Sequence, residues 1–205
     1  MTQLKLTYFD IDGGRAEPIR LILHWANIKF EDYRFPYSDF AEVRKNMPFG
    51  QVPCMEIDNQ IITQTDALIR HFGKKAGLYP QDDYIALLCD EVMNVIEDAT
   101  NKVVATFGLE GEVLEKARTK LASGPLTMYL KWLENRMQKQ GGTFYNGDKI
   151  SIADFKIFVW TRGLCAGHLD HIPTDLVEKV APTVFKHLNR MSNLEKIKAY
   201  YQSRK

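Results

Sequence analysis

The sequence predicts a small α/β domain followed by an all-helical domain. Strand-like and helix-like stretches alternate along the first part of the 205 residues, whereas apolar positions recur only at helical spacing after the segment 77–83. The length suffices for one or two domains and for burying a proper core. We therefore expect a first domain at residues 1–79, a linker at 80–83 and an all-α domain at 84–205.

The elements of the first domain follow from local patterns. A helix is predicted at 15–27, because Pro18 fits its first turn and apolar residues recur at helical spacing. Further helices are predicted at 40–46 and 65–75, and strands at 4–9, 29–35, 53–57 and 60–62. The last two strands form a hairpin across Asp58 and Asn59. A parallel two-stranded unit followed by a hairpin and a helix matches a thioredoxin-like topology.

The helical domain is predicted from apolar repeats and from helix ends. Apolar residues at helical spacing continue from Leu88 to Leu121, and Pro125 is expected to end or kink the helix there. Ser151 and Asp154 have the spacing of a capping box at the start of a later helix. Three further helices are predicted at 174–180, 182–190 and 194–202.

The composition argues against several classes of partner. The formal net charge is +1 and Lys and Arg form no long basic runs, so neither nucleic acid nor an anionic membrane is expected as the main partner. No stretch approaches the length of a membrane span, and the first residues, MTQLK, contain no apolar signal core. The three cysteines are far apart and form no C-x-x-C pair, which fits a reducing cytoplasm; they are Cys54, Cys89 and Cys165.

Two apparent motifs do not qualify as sites. The turn at 12–14 lacks the G-x-G-x-x-G pattern of dinucleotide sites. Cys165, His168 and His171 do not have the spacing of a standard zinc site, and a fourth ligand is missing. We therefore expect neither a dinucleotide nor a metal.

Three stretches of the first domain can carry chemistry. A Tyr8 hydroxyl at the end of the first strand can stabilise a bound thiolate and lower the pKa of the thiol, although packing at a sheet edge also explains the residue. Val52 precedes Pro53 where an unpaired backbone can accept an extended peptide, but an ordinary strand-opening proline also fits. Thr65, read as a helix N-cap, leaves N–H groups free for a carboxylate or simply caps its helix.

In a βαβ-α-ββα fold these three stretches converge at one edge of one sheet. An extended, anionic peptide that carries a thiol fits such an edge, which points to glutathione chemistry. Thiol-disulfide exchange through a protein cysteine is not expected, because residues 8–17 include no Cys.

The same residues resemble the cytosolic glutathione S-transferases, most of all the sigma class, which includes the glutathione-dependent prostaglandin D synthases. LTYF at 6–9 with GRAE at 14–17 resembles the N-terminal signature, and MPFGQVP at 47–53 is similar to the segment before the family's cis-proline. QTDALIR at 64–70 resembles the start of the glutathione-binding helix, and SIAD at 151–154 the family's capping box. The likeness covers essentially the whole chain and implies a glutathione transferase fold with glutathione as co-substrate.

The resemblance implies roles for individual residues. Tyr8 is implied to activate the glutathione thiol, and Arg15 to support the site electrostatically. Asp98 is implied to reach the γ-glutamyl amine of the glutathione held by a neighbouring subunit, so a homodimer is expected. The backbone of Val52, next to Pro53, is implied to pair with the cysteinyl residue of glutathione. Gln64 and Thr65 are implied to hold its γ-glutamyl end.

Two departures from the family concern the glycyl end of glutathione. Phe40 stands where relatives of this class often carry Trp, so an indole N–H to the glycyl carboxylate is lost. Gln51 stands where they often carry Lys, and Arg44 recovers some of the lost attraction. We therefore predict weaker glutathione binding than in a typical relative.

The second substrate is expected between the end of the first strand and the first long helix, in a site lined by Phe9, Asp12, Gly13, Thr100, Val104 and Phe107. Prostaglandin synthases of the class carry bulky residues here, whereas this chain has Ala105 and, in place of an aromatic, Lys156. The resemblance favours a transferase that conjugates glutathione to small hydrophobic electrophiles over a dedicated prostaglandin isomerase. A non-catalytic ligand-binding or crystallin-like protein stays as the alternative.

Overall fold

A four-stranded sheet with helices comes first in the chain, and helices follow. The computed structural model describes residues 3–204; Met1, Thr2 and Lys205, which fall within the predicted domain ranges, lie outside the described residues. The strands are β1 (Leu4–Phe9), β2 (Glu31–Phe35), β3 (Cys54–Ile57) and β4 (Gln60–Ile62), and the helices among them are α1 (Glu17–Trp25), α2 (Phe40–Val43) and α3 (Thr65–Lys75). The later helices are α4 (Asp83–Val104), α5 (Gly111–Leu121), α6 (Thr127–Gln140), α7 (Ile152–Cys165), α8 (Leu176–Val180), α9 (Pro182–Asn193) and α10 (Glu195–Gln202).

The sheet has the strand order β2-β1-β3-β4. β1 is parallel to β2 and antiparallel to β3, and β3 pairs with β4 as the predicted hairpin. Leu6 of β1 lies opposite Met55 of β3, and both are fully buried in one apolar cluster with Ile19 of α1 and Leu68 of α3. The predicted fold class, an α/β part followed by an all-helical part, is confirmed.

Two boundaries in the first part differ from the predicted ones. The helix predicted at 15–27 begins at Glu17, because a turn with Gly14 at a φ of 68° precedes it. The helix predicted at 40–46 is an α-helix only over α2 and continues as a 3-10 turn, Arg44–Asn46. The hairpin strands and α3 begin and end within a residue of the prediction.

The predicted interruption at Pro125 is a π-helical segment, Ala122–Leu126, between α5 and α6. A π-helical turn accommodates a proline, which cannot donate the main-chain bond of an ordinary helix. Asp82 caps α4, because its carboxylate accepts the main-chain N–H groups of Tyr84 at 3.0 Å and Ile85 at 2.9 Å. The division into domains at 80–83 stays a prediction.

α7 holds the helical part against the first part of the chain. Its residues from Ile152 to Val159 are all buried. Ile152 donates its main-chain N–H to the carbonyl of Leu78 at 3.0 Å. A Cβ atom at Gly73 of α3 would lie 2.2 Å from the Ile152 side chain, so glycine is needed for this close approach.

The predicted capping box at the start of α7 is confirmed. One carboxylate oxygen of Asp154 accepts the main-chain N–H of Ser151 at 2.7 Å and its hydroxyl at 2.9 Å. The other oxygen accepts the N–H of Tyr145 at 2.8 Å and lies 2.8 Å from Nε2 of His187. Asp154 therefore joins the preceding loop and α9 to α7, beyond its role as a cap.

Candidate active site

Tyr8 lies next to the last residue of β1, with its side chain almost fully buried. Its hydroxyl oxygen accepts a hydrogen bond of 3.1 Å from the main-chain N–H of Arg15. A Cβ atom at Gly14 would lie 2.5 Å from this hydroxyl oxygen, and Gly14 has a φ of +68°. Position 14 therefore favours glycine twice over, for its backbone conformation and for the space that the hydroxyl occupies.

The environment of Tyr8 keeps its hydroxyl protonated. Burial raises the pKa of Tyr8 above its ordinary value of 10.0, and the N–H and positive charge of Arg15 offset only part of this effect. A phenol is one donor and one acceptor, and here the acceptor side already meets Arg15. The hydroxyl is thus a hydrogen-bond donor at neutral pH, suited to stabilise an anion in front of it.

Val52 and Pro53 lie beside Tyr8, at the end of the sheet where β1 finishes and β3 begins. The peptide bond between them is cis, as the resemblance implies. Thr7 pairs with Cys54, the first residue of β3, and continuing this antiparallel register brings Pro53 opposite Tyr8. Val52 is half-buried and lies ahead of the paired residues, so its backbone is placed to meet an extended peptide.

The start of α3 differs from the prediction. Thr65 is the first helical residue, and the N-cap position belongs to Gln64, so the assignment of Thr65 as N-cap was wrong. Gln64 has a φ of 73° and a ψ of 105°, a conformation that costs a residue other than glycine about 1–3 kcal/mol. Within the described chain the Gln64 side chain makes no capping hydrogen bond, so the first N–H groups of α3 are available to an anion.

Arg15 directs its side chain towards α4. Its Nε lies 2.6 Å from a carboxylate oxygen of Glu97, and a terminal nitrogen donates to the side chain of Asn101 at 2.8 Å. The residues Glu97 and Asn101 are one helical turn apart on the same face of α4. Arg15 therefore meets Tyr8 through its main chain and α4 through its guanidinium, a division that the sequence did not reveal.

A second cation stands behind the same carboxylate. The ammonium nitrogen of Lys156, on α7, lies 3.0 Å from Glu97 and 2.8 Å from Asp66, and the Lys156 side chain is only 6% exposed. The charge of Lys156, the residue found in place of an aromatic, is therefore paired inside the protein and is not presented at the surface. Arg15, Glu97, Lys156 and Asp66 form an alternating chain of charges, which we call the four-residue ion chain.

The two carboxylates of the ion chain respond differently to it. Burial raises the pKa of Asp66, and the single adjacent ammonium of Lys156 does not fully offset that effect. Burial also opposes the ionisation of Glu97, but Lys156 and Arg15 together outweigh it and lower the pKa of Glu97 below its ordinary value of 4.5. Glu97 contacts two cations and Asp66 only one, and the negative charge of Glu97 further raises the pKa of Asp66.

The residues predicted for the glycyl end lie together beyond β2 and before β3. The guanidinium of Arg44 lies 5.2 Å from the ring centre of Phe40, and the Arg44 side chain also borders Gly50. Phe40 packs against Phe9 with ring centres 5.0 Å apart. Arg44 and Gln51 are exposed, so both are accessible to an anion from solvent.

Among the residues predicted for the electrophile site, Phe9 is half-buried and stacks on Tyr37 at 4.5 Å between ring centres. The sequence reasoning missed Tyr37, which has no motif of its own. The Asp12 carbonyl accepts a bond of 2.7 Å from Arg162, which ties the turn containing Gly13 to α7.

The α4 side of the electrophile site follows from helical geometry. Thr100 and Val104 lie within a turn of Glu97 and Asn101, and Phe107, just beyond the end of α4, is exposed. Asp98 is exposed and lies about 100° around α4 from Glu97. Asp98 also precedes Asn101 by three residues, so the two lie next to each other on the exposed surface of α4.

Residues 3–204 lack two further kinds of feature. No group of three or more His, Cys, Asp and Glu residues there is arranged to hold a metal ion. No helix of that range is both long enough and apolar enough to cross a membrane.

The sequence of this chain is similar to those of known proteins over both parts of the fold. The family model for the glutathione S-transferase N-terminal domain matches residues 12–80, and the model for the C-terminal domain matches residues 97–204. A glutathione S-transferase P 10 of Caenorhabditis elegans is 32% identical over 203 residues, covering 98% of this chain and 91% of the relative. The hematopoietic prostaglandin D synthase of Gallus gallus is 30% identical over 204 residues, covering 100% of this chain and 98% of the relative.

A solved structure agrees over the same length. The prostaglandin synthase D of Nilaparvata lugens superposes with a TM-score of 0.88 at 27% identity, covering 99% of this chain and 98% of that chain. Both halves of the chain therefore match the same family in sequence, and the whole chain matches it in fold. This chain belongs to the glutathione S-transferase family.

Proposed function

We propose that this glutathione transferase uses the Tyr8 hydroxyl to stabilise the thiolate of reduced glutathione for attack on small hydrophobic electrophiles. The observation that carries the proposal is the buried, protonated hydroxyl whose oxygen accepts the Arg15 N–H at 3.1 Å. A donor fixed in this way stabilises the thiolate more than the thiol and lowers the thiol pKa. The thiol proton leaves to solvent, the sulfur forms a bond to the electrophilic carbon, and the leaving group departs with its electron pair.

Glutathione is proposed to lie extended across the end of the sheet where β1 finishes and β3 begins. The Val52 backbone pairs with the cysteinyl residue beside cis-Pro53, and the start of α3 at Gln64 and Thr65 holds the γ-glutamyl carboxylate. At the glycyl end, Arg44 supplies a positive charge, while Gln51 supplies none. This arrangement supports glutathione binding that is weaker than in a typical relative.

The electrophile is proposed to lie between the β1 side and α4. Phe9, stacked on Tyr37, provides an aromatic wall, and Asp12 and Gly13 form the turn at its rim. Thr100, Val104 and Phe107 provide the opposite side. A prostaglandin isomerase is the second candidate, because the chicken and planthopper relatives are named as prostaglandin D synthases. Assays with an aromatic halide and with a prostaglandin endoperoxide separate the two.

A homodimer of sigma-class type is also proposed. Three apolar side chains are strongly exposed and available to an interface: Phe49, in the loop before β3, is 77% exposed, and Tyr84 and Leu87, in the first turns of α4, are 63% and 60% exposed. Phe49 also has a φ of 59°, a left-handed conformation that is uncommon for a residue with a side chain. Asp98 is exposed on α4 as a contact across such an interface requires.

We also propose a cytoplasmic location for the protein, because its three cysteines are free.

Sedimentation equilibrium tests the dimer. The wild type is expected to sediment as a dimer, and Phe49→Asp to shift it towards monomer, because a charge is then buried in an apolar contact. Met128→Asp, a change at an exposed residue of α6, is the control and is expected to leave the dimer intact. A monomeric wild type at all concentrations contradicts this part of the proposal.

The ultraviolet titration of the glutathione thiolate on the protein tests the proposed chemistry. The wild type is expected to show a thiol pKa well below that of free glutathione, and Tyr8→Phe to raise it back. Tyr79→Phe is the matched control, because it removes a tyrosine hydroxyl that bonds to Asp90, at 3.0 Å, and lies outside the proposed site. Glutathione binding without any shift in the wild type instead supports the ligand-binding alternative.

A further inference from the structure

We infer that Lys156 is a positioning residue that holds the thiol subsite and the γ-glutamyl subsite of the glutathione site at a fixed distance from each other. The inference rests on the proposed function and concerns a residue that touches neither thiol nor electrophile. Lys156 bridges Asp66, at the start of α3, and Glu97, which holds Arg15. It does so from α7, on the helical side of the molecule.

The burial of Lys156 shows that its partners are required. Removing an ammonium group from water costs much free energy unless the group is paired with a negative charge and hydrogen-bonded. Lys156 is 6% exposed in its side chain, and its nitrogen has two carboxylate partners at 2.8 Å and 3.0 Å. Because α7 is buried over 152–159, the position from which this ammonium reaches out is rigid.

The two partners lead to two different parts of glutathione, the γ-glutamyl carboxylate and the thiol. Asp66 follows Thr65 directly, so its position sets where the first N–H groups of α3 lie for the γ-glutamyl carboxylate. Glu97 bonds to Arg15 at 2.6 Å, and the Arg15 N–H bonds to the Tyr8 hydroxyl that faces the thiol. Glutathione contacts both subsites only when the distance between them matches the distance between its γ-glutamyl carboxylate and its thiol. Small misplacements of either subsite reduce binding and reactivity strongly.

Charge explains why a neutral residue cannot replace Lys156. Asp66 and Glu97 both approach one ammonium, and the negative charge of Glu97 contributes to the raised pKa of Asp66. Without the cation the two carboxylates repel each other across a buried space. Arg15 still holds Glu97, so the displacement falls mainly on Asp66 and the start of α3, whereas the loss of the positive charge beside Glu97 disfavours the bound thiolate and raises the pKa of its thiol.

The test compares Lys156→Met, Lys156→Arg and Lys116→Met in the full chain. Lys156→Met is expected to raise the KM for glutathione roughly tenfold or more, to raise the pKa of the bound thiol, and to leave the KM for the electrophile nearly unchanged. Lys156→Arg restores a cation and is expected to recover most of the loss. Lys116→Met breaks an exposed ion pair with Glu112 and is expected to change none of these values.

A second variant keeps the test decisive where Lys156→Met does not fold. Asp66→Asn weakens the contact between Lys156 and the start of α3 and leaves the contact between Lys156 and Glu97 in place. We therefore expect a raised KM for glutathione with an unchanged pKa of the bound thiol. The inference is overturned when a folded Lys156→Met keeps both the wild-type KM for glutathione and the wild-type thiol pKa, or when Asp66→Asn leaves the KM unchanged. A wild type without a depressed thiol pKa overturns the proposed function instead, so the two failures are distinguishable.

Discussion

The hydroxyl of Tyr8 is oriented by the main-chain N–H of Arg15, 3.1 Å away, and the Arg15 guanidinium points elsewhere. A main-chain donor cannot be removed by changing the Arg15 side chain. The turn at 13–15 therefore matters to the chemistry through its conformation, and the charge of Arg15 acts at longer range through Glu97.

Replacement of Tyr8 by Phe removes one hydroxyl from a buried position. We expect kcat/KM to fall by roughly 100-fold, because a donor to a developing or existing anion in a dry site contributes about 2.7–4 kcal/mol at most and often less. The melting temperature is expected to change little, since the ring keeps its packing. Steady-state kinetics with an aromatic halide check this, and full activity in the variant would rule out Tyr8 as the activating group.

Replacement of Gly14 by Ala is expected to displace the Tyr8 hydroxyl without changing Tyr8 itself. The new methyl group would lie 2.5 Å from the Tyr8 oxygen in a backbone conformation with a φ of +68°. We expect activity to fall more than tenfold as Tyr8 is displaced or the turn rearranges. Gly163→Ala in α7, where a Cβ atom meets nothing within 4 Å, is the matched control. Equal activities for the two variants would contradict the assigned contact.

Part of this site could be predicted from the sequence and part could not. Tyr8 and cis-Pro53 stand in short motifs, and each motif belongs to a single strand end. Lys156 and its partners are 59 and 90 residues apart along the chain, so only the packing of α7 against α3 and α4 brings them together. Gln64 was missed as the N-cap because its positive φ contradicts the ordinary preference of a residue with a side chain.

The ionisation of Glu97 is expected to contribute to stability with a definite pH dependence. The pKa of Glu97 is lowered in the folded protein, so its contribution is fully present above its ordinary value of 4.5 and is lost as the pH falls through the folded pKa. Glu97→Gln should therefore lower the melting temperature at pH 7, and the difference from wild type should shrink in acid. Glu112→Gln, at an exposed pair, is the control. A difference that grows in acid would contradict this assignment.

Replacement of Gln51 by Lys is expected to strengthen glutathione binding. Gln51 is exposed, and if the proposed placement of the glycyl end is right, a lysine there adds a charge that attracts the glycyl carboxylate. We expect the Kd for glutathione to fall roughly two- to fivefold and the gain to shrink with added salt, as for other exposed ion pairs. Gln60→Lys adds the same charge at an exposed position of β4. An equal gain in that control would mean that net charge, and not the glycyl contact, is responsible.

Replacement of Asp154 by Ala is expected to destabilise the fold far more than the loss of a helix cap. A cap alone contributes about 1 kcal/mol, whereas removing one partner of a buried charged network costs about 3–5 kcal/mol. Asp154 is fully buried and accepts two bonds from Ser151 and one from the Tyr145 N–H, and it also faces His187. Asp82→Ala is the control, because it removes an exposed N-cap with two bonds from α4. Denaturant unfolding should give the larger loss of free energy for Asp154→Ala, and equal losses would reduce Asp154 to an ordinary cap.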